Sequence, residues 1–381
     1  MKNYKVVMLG SSGSGKTVFL ASMFHELFTQ GERGFFLKVE GKESERRLIK
    51  IYEQVATKTD WPIGTKLDEI SEWIFTCYVQ AKDRSIFPTC QFIYLDYAGG
   101  RLTDILESDE VDSEFETKLE QADSLLGLLD GQKILAAMTG DGFAWNALHL
   151  IDLKNMLMKM QTSRAPIHFV ISKWDLLDGE FTLEQVLDRL LELDSFRNLV
   201  KQRNQANSPV RLIPVSSVGK GFAVPQRDGS MQKTGKTPRP FQVEMPLACV
   251  VPDMMESKLK QLLKQKEEDA ARVVEVKPNI NWWDRLGQFL GGSISVVRHL
   301  LPVNYQFTDK AMENLSKFAS SGIRKKKENA AQRSEELRKE RDEALTFVNS
   351  EITALEYTIT CFAQLREILM YQFPESELRL S

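Results

Sequence analysis

The chain has 381 residues, 42% apolar and 27% charged, the proportions of a globular protein with room for one large and one smaller domain. With 50 basic against 53 acidic residues the formal charge is -3, which excludes a global field drawing the protein to nucleic acid, although local basic patches stay open. Cys77, Cys90, Cys249 and Cys361 are scattered without metal-ligand spacing, and the N-terminus lacks a signal-peptide core. No apolar run reaches the roughly 18 residues of a spanning helix. A reducing cytoplasm and no integral membrane segment are therefore expected.

The first element joins an apolar run, Val6-Val7-Met8-Leu9, to Gly10-Ser11-Ser12-Gly13-Ser14-Gly15-Lys16-Thr17, the spacing G-x-x-x-x-G-K-[ST]. The run reads as a buried strand. The glycines let backbone N–H groups turn inward around phosphate oxygens, and Val18-Phe19-Leu20-Ala21 begins a helix aimed at them. This predicts a nucleoside triphosphate site shaped by Gly10, Ser12, Gly13, Ser14, Gly15 and Val18. Lys16 would neutralise the β- and γ-phosphates, and Thr17 would ligate Mg²⁺.

Up to about residue 218, apolar runs at 5–9, 74–79, 90–95, 124–129, 167–171 and 212–215 alternate with helix-like segments. The pattern predicts an α/β fold with a doubly wound, mostly parallel, six-stranded sheet that binds ligand beyond the strand C-termini. The third run ends in Asp96-Tyr97-Ala98-Gly99, a D-x-x-G that places Asp96 to hold Mg²⁺ through water and the Gly99 N–H to sense a γ-phosphate. The acidic stretch at 107–114 reads as a solvated loop. The fifth run leads into Ser172-Lys173-Trp174-Asp175, and the sixth ends in Ser216-Ser217-Val218.

In this order the motifs, over roughly residues 4–265, resemble those of Ras-like P-loop GTPases. The resemblance implies that Asp175 accepts hydrogen bonds from guanine N1 and N2, that the Lys173 stem covers the base, and that a backbone N–H of Ser216, Ser217 or Val218 meets guanine O6. Adenine offers Asp175 no donor pair, a loss of about 1–3 kcal/mol. Ser172 stands where that family usually has Asn or Thr, so its tie to the phosphate loop is weaker and affinity is expected to be modest. The implied ligands are GTP and GDP with Mg²⁺. The first switch is assigned to Trp61-Pro62-Ile63-Gly64-Thr65, with Thr65 completing the Mg²⁺ set by analogy; Thr57, Thr59, Thr76 or no residue are the alternatives. The W-P-x-G-T wording is similar to bacterial double-GTPases of the second type, which suggests a signalling or defence assembly.

The pattern departs from the family after the D-x-x-G glycine, where a water-orienting Gln is common and this chain has Gly100 and then Arg101. Slow hydrolysis is expected. A residue from elsewhere, a partner's residue, or nucleotide exchange without turnover remain open, and Arg101 is either a charge stabiliser or an ordinary surface arginine. The expected function is a GTP-dependent switch. The alternatives are a GTP-binding scaffold that never turns over and an ATP-driven assembly factor in which Asp175 is incidental.

Residues 219–240 are polar and rich in Gly and Pro and read as a long mobile loop; 254–266 reads as a helix closing a domain of residues 1–266. Residues 267–322 read as a linker with two short amphipathic helices. From 323 to 373 there is neither Gly nor Pro, which predicts a long helix. Within it Leu345, Val348, Ile352, Leu355, Ile359 and Phe362, continued by Leu369, make about three heptads of coiled-coil seam. The seam needs an apolar partner: another copy, a helix of this chain, or another protein. Arg324-Lys325-Lys326-Lys327 would suit peripheral contact with anionic lipid, against packing of Trp282, Trp283, Leu286 and Phe289 on the long helix. His25, His149, His168 and His299 have no metal-spaced partners and read as structural, so no metal site beyond Mg²⁺ is expected.

Overall fold

The predicted run at 5–9 lies within β1 (Lys2–Gly10), and its last five residues are buried because β1 is a central strand with neighbours on both sides. The computed structural model describes residues 1–63, 70–97, 113–140, 142–147, 153–226, 229–270 and 330–380. Around β1 lie β2 (Phe36–Val39), β3 (Ile70–Gln80), β4 (Ile86–Tyr97), β5 (Ser124–Asp130), β6 (Ile167–Ser172) and β7 (Val210–Pro214). They form a seven-stranded sheet in the order β2-β3-β4-β1-β5-β6-β7. The strands from β4 to β7 are parallel, while β3 runs antiparallel to both β2 and β4. The sheet has one strand more than the six expected. β2 has only four residues at the sheet edge, too few to register as an apolar run.

Alternation along β1 divides the core into two layers. Tyr4, Val6 and Met8 face one apolar cluster and Val7 and Leu9 the other, as the two-residue period of a strand requires. The first layer holds α1 (Lys16–Glu26), α2 (Lys42–Thr57) and α9 (Met245–Ala270). The second holds α3 (Ser113–Glu120), α4 (Gly131–Met138), α6 (Lys154–Gln161), α7 (Leu183–Leu191) and α8 (Asp194–Gln205), with short α5 (Gly142–Ala147) beside α4. α9 contains the predicted 254–266 and begins nine residues earlier.

The long C-terminal helix is corrected. Two helices, α10 (Ala330–Ala344) and α11 (Glu351–Gln372), are separated by a 3₁₀ turn, Leu345–Phe347, and extended backbone at Val348 and Ser350. Ser350 caps α11 by accepting from the Thr353 N–H at 3.3 Å, so a local capping motif restarts the helix without Gly or Pro. The coiled-coil seam is corrected with it. Val348, Leu355, Ile359, Phe362 and Leu369 are buried in the same cluster as α9 and the sheet, and the Phe362 ring meets Phe35 at 5.0 Å and Phe92 at 5.8 Å. Ala354, Tyr357, Thr358, Cys361, Leu365 and Arg366 are buried as well, so α11 is covered nearly all round, as a core helix is. Of the three partners left open for the seam, the same chain supplies it.

A buried charge cluster fastens α9 and α11 to the sheet. Arg211 of β7 donates to both carboxylate oxygens of Asp253 in α9 (2.5 and 2.6 Å), and Arg366 of α11 donates to Asp253 at 2.8 Å and Glu256 at 3.0 Å. His168 of β6 meets Asp253 at 2.9 Å, with Ser124 Oγ 3.4 Å from its other ring nitrogen. Ser, His and Asp are the residue types of a nucleophilic triad, but all three are 0% exposed and Asp253 is engaged by two guanidinium groups, so the series is a structural staple. Burial alone would raise the Asp253 carboxyl; Arg211, with His168 and Arg366, outweighs it and holds the pKa well below the usual range.

The segment predicted as a loop, 219–240, contains a short hairpin, β8 (Ala223–Pro225) with β9 (Met231–Lys233), and Phe222 and Ala223 bury with Val55 of α2 and Val218. Thr65, Gly99, Gly100, Arg101, the acidic stretch up to residue 112, His149, the amphipathic pair at 282–301, His299 and the basic run at 324–327 lie outside the described residues. Of the other histidines, His25 stacks on Tyr52 at 3.8 Å and His168 belongs to the buried cluster. No helix among the described residues is long and apolar enough to cross a membrane.

Candidate functional site

The phosphate end is built where β1 stops. Gly10 is closely surrounded, since a Cβ there would lie 2.8 Å from Ser14 Oγ and 3.1 Å from Leu128. The loop turns through left-handed Gly13 (φ 78°) and Gly15 (φ 87°), and the Ser14 N–H donates to Ser11 O at 3.2 Å. Gly15 is then the N-cap of α1, and no side chain caps that helix. An uncapped N-terminus with its partial positive charge, beneath a loop of backbone N–H groups, suits an anion. Lys16 is buried and its ammonium donates to Gly10 O at 2.7 Å. Burial lowers its pKa, and the negative charge of Asp96 opposes that. Asp96 is 0% exposed near the end of β4, paired in register with Met8 of β1, and Thr17 and Val18 are half-buried in the first turn of α1.

The second end lies across β5, β6 and β7. Lys173 takes the left-handed conformation (φ 52°), and the Trp174 N–H donates to Val215 O at 3.0 Å, binding the two loops together. Asp175 accepts from Ser216 Oγ at 2.5 Å, and the same oxygen accepts from the Gly219 N–H at 2.7 Å and the Val218 N–H at 3.4 Å. Burial raises the Asp175 carboxyl, with the Ser216 bond acting against it. Ser172 Oγ donates to Leu129 O of β5 at 3.1 Å, a tie to β5 where the sequence suggested the phosphate loop. Beside these residues opens a cavity of about 750 Å³, lined by Trp174, Asp175, Ser216, Val218, Lys236 and Phe241 among others. None of the phosphate-loop residues lines it.

Three further residues position the site. Asp130, at the end of β5, accepts from Lys173 Nζ at 2.8 Å and caps α4 through the Gln132 N–H at 3.0 Å. Gly131 lets this turn approach β6, since a Cβ there would sit 2.2 Å from Ser172 O. Ser22 Oγ donates to Ser217 O at 2.9 Å, and because Ser22 lies six residues along α1 from Lys16, the helix sets a spacing of roughly 9 Å between these points. The Asp130–Lys173 pair follows from the parallel register of β5 on β6, where Asp130 faces Ser172; no local signal marks it.

Thr17 and Asp96 would offer hard oxygen donors, the chemistry that suits Mg²⁺, although the described residues contain no cluster of three or more His, Cys, Asp or Glu able to hold a metal.

A mostly parallel sheet whose first strand turns through a glycine loop into a helix headed by a buried lysine defines a P-loop nucleotide-binding fold. Residues 7–141 match the family model described as Double-GTPase 1, and this likeness supports a P-loop GTPase of the double-GTPase type. The wording at 61–65 resembles the second type, while the matching model is that of the first. No curated protein matches the chain. The match implies guanine-nucleotide binding. It ends at residue 141, before Ser172–Asp175 and Ser216–Val218.

Proposed function

We propose that the chain is a guanine-nucleotide switch with slow, Mg²⁺-dependent GTP hydrolysis. The observation that carries this reading is Asp175, held by Ser216 at the wall of the cavity, on loops that α1 joins to the phosphate loop. An ionised carboxylate fixed by one hydroxyl keeps lone pairs for the N1 and N2 donors of guanine. Lys173 is anchored by Asp130, so its stem is available as a base platform. At the other end Lys16 exchanges its carbonyl partners for β- and γ-phosphate oxygens, and the backbone of residues 13–18 receives the remaining charge.

Thr17, Thr65 and Asp96 are the residues that would hold Mg²⁺, which supplies charge neutralisation on the β- and γ-phosphates. Gly99 senses the γ-phosphate and Thr65 orders the first switch. With Gly100 and Arg101 after the D-x-x-G glycine, no glutamine orients the attacking water, and the intrinsic rate is low. With the α11 seam buried, output passes through the switch segments to a protein partner of a signalling or defence assembly; Ile63, 92% exposed beside Trp61, offers an apolar contact there. The second reading, a GTP-binding scaffold without turnover, is favoured by Gly100 alone.

The test is binding of labelled GTP, GDP and ATP with Mg²⁺ to wild type and Lys16→Ala, followed through a single turnover. GTP-selective binding lost in the variant, with slow phosphate release, supports the switch. Stable GTP without phosphate release favours the scaffold, and ATP preference sinks the guanine reading.

A further inference from the structure

The β8–β9 hairpin and the residues after it touch two places at once. Just beyond β9, Gly235, Lys236, Thr237 and Arg239 line the same cavity as Asp175 and Ser216. At the end of β9, Lys233 Nζ lies within hydrogen-bond distance of four main-chain carbonyls at the C-terminal end of α2 and just beyond it: Gln54 (3.1 Å), Val55 (2.9 Å), Lys58 (2.8 Å) and Asp60 (3.0 Å). An ammonium has three protons, so these four acceptors saturate it. Next to it the Trp61 indole N–H donates to Met231 O at 2.6 Å, and the Trp61 ring packs against Phe222 and under Lys233. Only Thr234 separates Lys233 from the cavity wall, and its hydroxyl and N–H bind Gly221 and Phe222 carbonyls just before β8. From Phe222 the chain runs back through Gly221 to Gly219, whose N–H is held by the Ser216 hydroxyl that grips Asp175. Gly219 passes so close to Arg239 that a Cβ would lie 2.1 Å from its carbonyl oxygen, which leaves this turn little room to move alone.

We infer that Lys233 is a positioning residue that ties the cavity wall to residues 54–63, so that a guanine base in the cavity orders the end of α2 and the start of the first switch. The inference rests on the guanine reading above. It differs from γ-phosphate sensing, because the signal starts at the base and needs no phosphate. The grip also helps a Gly- and Pro-rich stretch to fold as a hairpin: an ammonium placed at the C-terminus of a helix meets the carbonyls of its last turn and the negative end of the dipole.

The experiment is amide hydrogen exchange of residues 54–63 in the full chain, with and without millimolar guanosine, which carries the base and no phosphate. Wild type, Lys233→Met, Lys233→Arg and Trp61→Phe are compared, and guanosine affinity is measured for each by calorimetry. In wild type, guanosine slows exchange of 54–63 by about tenfold. Lys233→Met keeps the affinity within about threefold and loses that ligand-dependent slowing, whereas Lys233→Arg restores most of it. Trp61→Phe, which removes the indole N–H bond and keeps an aromatic ring, loses part of the slowing and stands in if Lys233→Met does not fold. A merely structural cap would change exchange equally with and without guanosine. Equal slowing in wild type and Lys233→Met, or guanosine bound to wild type without slowing, overturns the inference; guanosine that does not bind wild type overturns the base reading and takes the inference with it.

Discussion

The Ser216 hydroxyl donates to Asp175 at 2.5 Å while accepting from the Gly219 N–H at 2.7 Å. One serine thus orients the proposed base-reading carboxylate and fixes the turn that follows the last strand of the parallel sheet. An amide in place of the carboxylate reverses half of its hydrogen-bonding capacity, presenting a donor where guanine also presents one.

Asp175→Asn is therefore expected to weaken GTP binding by roughly 5- to 150-fold, the equivalent of about 1–3 kcal/mol for mismatched buried groups. Xanthosine triphosphate, which offers an acceptor at that place, should bind the variant better than GTP does. Competition of the two nucleotides for wild type and variant checks this. Unchanged GTP affinity would remove Asp175 from the site.

Gly131→Ala tests the same end from behind. Its Cβ would fall 2.2 Å from Ser172 O and 2.9 Å from Lys173 O, both backbone atoms that cannot rotate away. Overpacking of this kind costs about 1–3 kcal/mol. Because the strain falls on the Lys173 loop, guanine-nucleotide affinity should drop by about tenfold, while phosphate-loop chemistry, read by inorganic triphosphate binding, changes little. Parallel titrations with GTP and triphosphate separate the two.

What could be read in the sequence, and what could not, divides along a physical line. The strand at 5–9, the glycine loop and the Asp175 and Ser216 motifs were legible because each is a local pattern imposed by burial on two faces, by left-handed glycines or by strand ends. Lys173–Asp130 and Ser22–Ser217 join residues 43 and 195 positions apart, and only strand register and helix placement bring them together. The spacing from Leu345 to Leu369 marked an apolar stripe truly but not its partner, since a sheet face and a second helix accept the same stripe. Asn349-Ser350 with Thr353 carried the signal for the helix restart, and Asp228-Gly229 between short β-prone runs carried the one for the hairpin. Both were outweighed by the composition around them.

Phe362 distinguishes a core helix from an interaction arm. Its ring fills the space between Phe35 and Phe92, so Phe362→Ala should cost about 3–5 kcal/mol in urea unfolding and leave the mass in solution unchanged. A helix serving as a coiled-coil arm would show the opposite, a changed oligomeric state with little loss of stability. Light scattering and denaturation on the same preparation decide between them.

Asp253 gives a prediction in which pH sets the sign. Its folded pKa is depressed below the ordinary 3.8, where burial is outweighed chiefly by Arg211. A depressed carboxyl contributes stability that is complete above the unfolded pKa and is lost as pH falls through the folded value. Asp253→Asn keeps the shape but takes from the Arg211 guanidinium its ion-pair partner at 0% exposure, a change expected to cost about 3–5 kcal/mol at pH 7. Below about pH 4 the wild-type protein begins to lose the same contribution, so the gap between the two should narrow on acidification. Urea unfolding of both proteins from pH 7 down to pH 3 measures it. A gap that stays constant would mean that the cost comes from altered packing, with Asp253 contributing shape and not charge to the junction of β6, β7, α9 and α11.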